Sequence, residues 1–399
     1  MSKQIQEAYI VAATRTPVGK APRGLFRQTR PDDLLAHVLK SVLAQAPSLD
    51  PASIGDVIVG CAMPEAEQGM NVARIALLLA GLPHGVPGVT VNRFCSSGLQ
   101  AIANAADRIR LGEAEVMIAA GVESMSMVPM MGNKIAFNPS IFENNEHLGI
   151  AFGMGLTAEK VAERWHVSRE AQDEFALQSH QRAIAAIAAG EFSDEISPFP
   201  LAEHFPNLQS RRIDLKHTII SQDEGPRADT SLAALAKLKT VFAQKGSVTA
   251  GNSSQMSDGA AAVLLCSESA LKRYNLTPIG KFLGFSVAGV PPEIMGIGPK
   301  EAIPRVLKQV GLSLQDMSWI ELNEAFAAQS LAVINDVGLN PALVNPLGGA
   351  IALGHPLGAT GAIRTATLLH GLRRRQQKYG MVTMCIGTGM GAAGIFEAL

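Results

Sequence analysis

Cysteine is scarce in this chain: its 399 residues include four, Cys61, Cys95, Cys266 and Cys385, widely spaced, with no C-x-x-C pair and no histidine at ligand spacing. That pattern excludes a disulfide scaffold and argues against a structural zinc site. Net charge is nearly absent as well, −1 at pH 7. Bulk electrostatics therefore gives no reason to expect a nucleic acid or an anionic membrane as partner. No apolar run reaches the ~18 residues that cross a bilayer, and no signal-peptide core precedes the strand-like residues 8–12. The expectation is a cytosolic protein without a membrane span. Walker P-loop, H-E-x-x-H and G-x-S-x-G sequences are missing too. Residues 389–394 match G-x-G-x-x-G formally, but they lie in a strand-like segment at the end of the chain, with no room for a following helix or an acidic residue ~20 positions on.

What is present is hydrophobic bulk: 47% hydrophobic and 17% charged residues describe a folded chain of two or three domains with well-buried cores. The most informative segment is 91–100, Val-Asn-Arg-Phe-Cys-Ser-Ser-Gly-Leu-Gln. The apolar run 88–91 predicts a buried strand, and Leu99, Ile102, Ala103, Ala106 and Ile109 follow at helical spacing until Gly112. Cys95 thus falls at a strand-to-helix junction. Free N–H groups and the helix dipole there are expected to lower its pKa from the usual ~8.5. A buried, inert cysteine is the ordinary alternative. The small Ser96, Ser97 and Gly98 argue against it, because they let a ligand reach the helix start.

A weak internal repeat adds two more reactive groups. Cys95 stands three before Gly98, and a helix and an apolar strand then lead to Gly121; His355 stands three before Gly358, and a helix and strand lead through Cys385 to Gly387. Strand, helix and strand in each half predict α/β layers joined by right-handed crossovers. Duplication would bring the starts of two equivalent helices together and set Cys95 facing His355. Residues 124–247 differ in character: Met125, Met127, Met130, Met131 and Met154 precede a long helix with Ser168 as N-cap, Phe175, Ala176, Ala183, Ile184 and Ile187 on its apolar face, and Gly190 at its end. A polar stretch without regular pattern follows. Methionines are usually core filler, although flexible thioethers also suit a surface for acyl or pantetheine chains.

Several segments together resemble the thiolase family: residues 91–100 around Cys95, Gly-Asn-Ser-Ser-Gln at 251–255, Asn-Glu-Ala-Phe at 323–326, Gly-Gly-Ala-Ile-Ala-Leu-Gly-His-Pro at 348–356 and Cys-Ile-Gly-Thr-Gly-Met-Gly at 385–391. The likeness runs end to end. Within that family the chain is most similar to degradative 3-ketoacyl-CoA thiolases of the peroxisomal type, through residues 223–227, 289–299 and 345–349. It has no recognisable peroxisomal targeting sequence, so a bacterial-type cytosolic enzyme is expected. The resemblance implies a duplicated five-layer αβαβα core: an N-terminal half at 1–123 completed by 248–270, an inserted loop domain at 124–247 covering coenzyme A, and a C-terminal half at 276–399. It also implies a homodimer or homotetramer, with a β-oxidation partner subunit left open.

The resemblance further implies thiolytic cleavage of 3-ketoacyl-CoA, with coenzyme A as substrate and no permanently bound cofactor or metal. Cys95 would be the nucleophile that carries the acyl group, His355 its base, and Cys385 the acid that protonates the acetyl-CoA enolate. The N–H groups of Cys95 and Gly387 would form one oxyanion site, and His355 with a water on Asn323 the other. The ordinary alternative for Asn323 is a helix cap after the strand 319–322. Arg227 would lie near the nucleotide and Ser254 toward the pantetheine, with Met154, Phe242 and Phe326 lining the channel. Phe94 departs from the glutamine or small residue often found before the nucleophile. The competing readings are an acetoacetyl-CoA-forming acetyltransferase, a decarboxylating ketoacyl synthase, whose second catalytic position is not usually a cysteine, and a non-catalytic acyl-CoA carrier.

Overall fold

A computed structural model describes residues 5–399. The first half contains β1 (Ala8–Arg15), the two-residue β2 (Gly19–Lys20), α1 (Pro31–Ala44), β3 (Val57–Gly60), α2 (Val72–Leu79), β4 (Gly88–Val91), α3 (Ser97–Arg110) and β5 (Val116–Ser124). The chain then leaves the core for α4 (Met154–Arg164), α5 (Arg169–Ala188), a hairpin of β6 (Phe199–Asn207) and β7 (Arg212–Ile220), and α6 (Leu232–Leu235). It returns as β8 (Ser257–Cys266) and α7 (Glu268–Tyr274). The second half contains β9 (Gly280–Gly289), α8 (Gly298–Val310), β10 (Trp319–Leu322), α9 (Ala327–Val337), α10 (Ala350–Leu353), α11 (Leu357–Arg374), β11 (Tyr379–Ile386) and β12 (Met390–Ala398).

The strand pairings repeat. In the first half β3 lies parallel to both β4 and β5, β5 is antiparallel to β8, and β8 is antiparallel to β1. In the second, β10 lies parallel to a bridge at Val344 and to β11, β11 is antiparallel to β12, and β12 is antiparallel to β9. A short antiparallel pairing of β1 with β9 joins the two sets.

Alternation along the strands sets the layers. On β8, Ala261, Val263 and Leu265 enter the central core, while Ala260, Ala262, Leu264 and Cys266 enter an outer core with α1 and α2. On β11, Val382 and Met384 face the centre and Met381 faces a second outer core with α8 and α9. Helices α3 and α11 fill the middle. The result is an αβαβα stack. Glycine lets the central helices approach: a Cβ on Gly98 would lie 2.8 Å from Gly358 O, and one on Gly361 would lie 2.2 Å from Leu99 N. That close crossing draws the N-terminal ends of α3 and α11 together.

Two local expectations change. Strand β4 is partly exposed rather than buried, because it is the sheet edge and Val89 is 41% exposed. The stretch after α5 is not irregular: it forms the β6–β7 hairpin, whose alternation Pro200 and Pro206 obscure in the sequence. Among the inserted elements, α5 is capped by Ser168, whose hydroxyl accepts from Ala171 N, and Gly190 follows the helix with φ +72°.

Candidate active site

Cys95 sits in a single helical turn, Phe94–Ser96, between β4 and α3. The turn is braced on both sides: Asn92 Oδ1 accepts from Phe94 N at 2.8 Å, and Ser97 Oγ donates to Phe94 O at 2.7 Å. Phe94 itself is held at φ +43°, a conformation that bulky side chains rarely adopt. The N–H groups of Gly387 and of Cys95 itself face the sulfur.

The thiol does not behave as its place at a helix start suggests. Desolvation pushes its pKa up to about 12, and the two N–H groups offset this only in part. The residue is half-buried, in a turn packed against α3, α11 and β11. Enclosure removes the water that would stabilise a thiolate, and that loss exceeds the pull of one helix end. Cys385, fully buried on β11, is raised further by burial and by the neighbouring Cys95 sulfur. Both are thiols before any reaction begins.

His355 is 5% exposed, two residues before α11. Its Nδ1 lies 2.7 Å from Thr360 Oγ1, and its Nε2 lies 3.3 Å from Asn323 Nδ2. With Nδ1–H donating to the threonine, Nε2 is free to accept. Burial, with a smaller push from Arg364, lowers the imidazole pKa to about 3, so it is neutral. Asn323 caps no helix: α9 is capped at Phe326, and Asn323 Oδ1 is buried without a protein partner, an acceptor able to hold a water.

Two buried carboxylates that sequence reasoning did not single out hold these segments. Glu123, at the end of β5, accepts from Ala62 N at 2.8 Å, Met63 N at 3.1 Å, Gly358 N at 2.8 Å and the Gln68 amide. It ties the first half to the start of α11. Glu324 accepts from Ser179 Oγ at 2.7 Å, Asn345 Nδ2 at 2.8 Å and Ile351 N at 3.2 Å. Thr360 was missed as well; its only signal is its position in the first turn of α11, five residues after His355.

A cavity of 330 Å³ opens at Cys95, lined by Phe94, Gly387, Met154, Leu357 and the segment around Met130, Met131 and Phe137. Arg227 lies elsewhere, in a 400 Å³ cleft with Lys20, His180, Ser253 and Gln255, where it pairs with Asp229 at 2.8 Å. A chain of contacts connects the two: Ser253 of the cleft bridges to Phe326, which packs with Cys385 and Met154 in one apolar cluster. Phe242 stacks edge-on against Phe326 at 6.1 Å. Ser254 is half-buried beside them and donates its N–H to Ala325 O at 2.9 Å. Among the described residues no group of three or more His, Cys, Asp or Glu is arranged to hold a metal, and no helix is long and apolar enough to cross a membrane.

Fold and site together define a duplicated α/β protein that sets a thiol at one central-helix start and an imidazole at the other, with a second buried thiol next to the first. The chain belongs to the thiolase family: residues 8–269 match the thiolase N-terminal domain and residues 276–398 the thiolase C-terminal domain. It is 52% identical over 393 residues to the 3-ketoacyl-CoA thiolase of Bacillus subtilis, covering 98% of this chain and 100% of that one. Its structure resembles the dimeric peroxisomal thiolase of Saccharomyces cerevisiae (TM-score 0.89, 40% identity, 100% and 99% covered). It resembles the acetyl-CoA acetyltransferase of Bacillus anthracis equally well (TM-score 0.89, 40% identity, 100% of both covered).

Proposed function

We propose that the protein is a 3-ketoacyl-CoA thiolase of fatty-acid β-oxidation, an acyltransferase that works through an acyl group on Cys95. The observation that carries this reading is the cluster of Cys95, Cys385 and the Gly387 N–H at the start of α3, against which the start of α11, two residues after His355, packs closely. In the first half-reaction His355 Nε2 takes the Cys95 proton as the sulfur attacks the 3-keto carbon. The oxyanion is received by the N–H groups of Cys95 and Gly387. As the C2–C3 bond breaks, its electron pair becomes the enolate of acetyl-CoA, and Cys385 gives that carbon a proton. His355 and a water on Asn323 meet the enolate oxygen. In the second half-reaction the thiol of coenzyme A attacks the acyl-cysteine, releasing a shortened acyl-CoA and returning the protons.

Because thiol and imidazole are both neutral at rest, the ion pair forms only with substrate in place. That protects an enclosed thiol from other electrophiles. Arg227 would meet the nucleotide, Ser254 the pantetheine, and Met154, Phe242 and Phe326 the channel between. We further infer a cytosolic homodimer; the unpaired edge of β4, with Val89, Leu78 and Leu79 exposed beside it, offers the surface.

Mass spectrometry of enzyme quenched with 3-ketohexanoyl-CoA in the absence of coenzyme A tests the reading. A butyryl group on the peptide carrying Cys95, discharged by added coenzyme A, is expected. An acyl group on another residue, or none, would refute it.

A further inference from the structure

We propose that Phe94 is a specificity-determining residue of the acyl site, admitting straight chains of varied length and rejecting chains branched next to the reacting carbonyl. The proposal rests on the thiolase reading above and concerns which acyl groups Cys95 accepts.

The 330 Å³ cavity at Cys95 has room for about ten groups the size of a water molecule, at roughly 30 Å³ each. An acetyl group would leave most of it empty. Four methionines, Met63, Met130, Met131 and Met154, form much of its wall. Unbranched thioethers with three rotatable bonds shift to fit contents of different length. The distal cavity is therefore permissive.

The proximal end is built differently. Phe94 lines the cavity immediately beside Cys95, and its backbone cannot swing away. It is fixed in the left-handed region at φ +43°, its N–H is held by Asn92 Oδ1 at 2.8 Å, and its carbonyl by Ser97 Oγ at 2.7 Å. A bulky residue in that conformation is costly and persists only where its surroundings over-determine it. The ring borders the space over Gly387: a Cβ built there would lie 3.8 Å from the ring and 3.6 Å from Met154 Sδ. The Gly387 N–H also faces the Cys95 sulfur. The first carbon of the acyl chain must therefore pass between Phe94 and Met154 when the carbonyl reaches the sulfur. A methylene passes, whereas an added methyl meets a ring whose backbone anchor is fixed.

Thiolysis by the full-length enzyme of two isomers, 3-ketohexanoyl-CoA and 4-methyl-3-ketopentanoyl-CoA, tests this, with 3-ketodecanoyl-CoA as the length control. The wild type should show kcat/KM values within about tenfold for the two straight chains, and a loss of about tenfold or more for the branched isomer, the usual worth of one misplaced methyl in an apolar pocket. Phe94→Ala should remove most of that discrimination, and Phe94→Leu part of it; the leucine variant also serves if alanine does not fold. Equal use of the isomers by the wild type, or discrimination unchanged in both variants, would overturn the proposal. Discrimination lost in Phe94→Gly but kept in Phe94→Ala would also overturn it, by assigning the effect to backbone strain instead of the ring. A wild type that cleaves neither straight-chain substrate would overturn the thiolase reading itself.

Discussion

The two halves share a topology and differ in one connection. In the first half the link from β5 to β8 expands to residues 125–256, carrying α4, α5 and the hairpin; in the second, the equivalent link from β11 to β12 is the tight turn 387–389. The turn contributes the Gly387 N–H facing the Cys95 sulfur, while the expansion contributes Met130, Met131 and Met154 to the cavity above it. Duplication alone would give a symmetric pair of helix starts. The symmetry fails at the helix starts: one bears a thiol in a strained turn and the other a neutral imidazole, and each start is contacted by the other half, through the Gly387 N–H and through Glu123.

Glu123 offers the strongest way to break that relation, because its carboxylate belongs to the first half and holds Gly358 N at 2.8 Å in the second. Glu123→Ala would leave several buried donors without an acceptor, and urea denaturation should show a loss of roughly 3–5 kcal/mol, since each orphaned buried donor costs about 1–3 kcal/mol. Burial raises this carboxyl's pKa above the ordinary glutamate value. The folded state then binds its proton more tightly than the unfolded chain, so this group's contribution should weaken as pH rises through that interval. A variant within about 0.5 kcal/mol of wild type, the range of ordinary surface substitutions, would remove the carboxylate as the tie between halves.

The meeting of the two helix starts that carry Cys95 and His355 was legible because the spacing to Gly98 and Gly358 repeats and those glycines are what the helix crossing requires. Strand β4 and helix α3 were legible for a similar reason: their apolar periods are local. Glu123 and Thr360 were not, since a single carboxylate or hydroxyl has no period and acquires its partners only when distant segments meet. The hairpin β6–β7 was hidden because its outward face is not polar; Ile213, Leu215 and Ile219 are exposed. The thiol's acidity was misjudged for a physical reason. A helix start can be read from sequence, but desolvation depends on everything packed around the sulfur.

That misjudged acidity yields the second test, of intermediate size. With the Cys95 pKa pushed up to about 12, the thiolate fraction should rise about tenfold per pH unit across the neutral range. Alkylation of the unliganded enzyme by iodoacetamide, followed on the Cys95 peptide, should climb about a hundredfold from pH 7 to pH 9 without levelling. A plateau below pH 8 would mean that the helix end and the Gly387 N–H outweigh desolvation, and that the resting site already holds a thiolate.

The smallest effect separates what each helix start needs. Five residues after His355, Thr360 Oγ1 lies 2.7 Å from Nδ1 and fixes which nitrogen is free to accept a proton. Five residues after Cys95 stands Gln100, whose amide accepts from Arg93 Nε at 2.7 Å and donates to Asn104 Oδ1 at 2.7 Å. A thiol has one proton and no tautomers to choose between, so nothing at that position need orient it. Thr360→Val should therefore lower kcat about tenfold with KM little changed, the worth of one hydrogen bond of ~1.4 kcal/mol. Gln100→Leu should stay within about twofold, as substitutions away from such features do. Equal losses in the two variants would show that these residues act through helix packing, and the imidazole's need for a tautomer lock would no longer distinguish the halves.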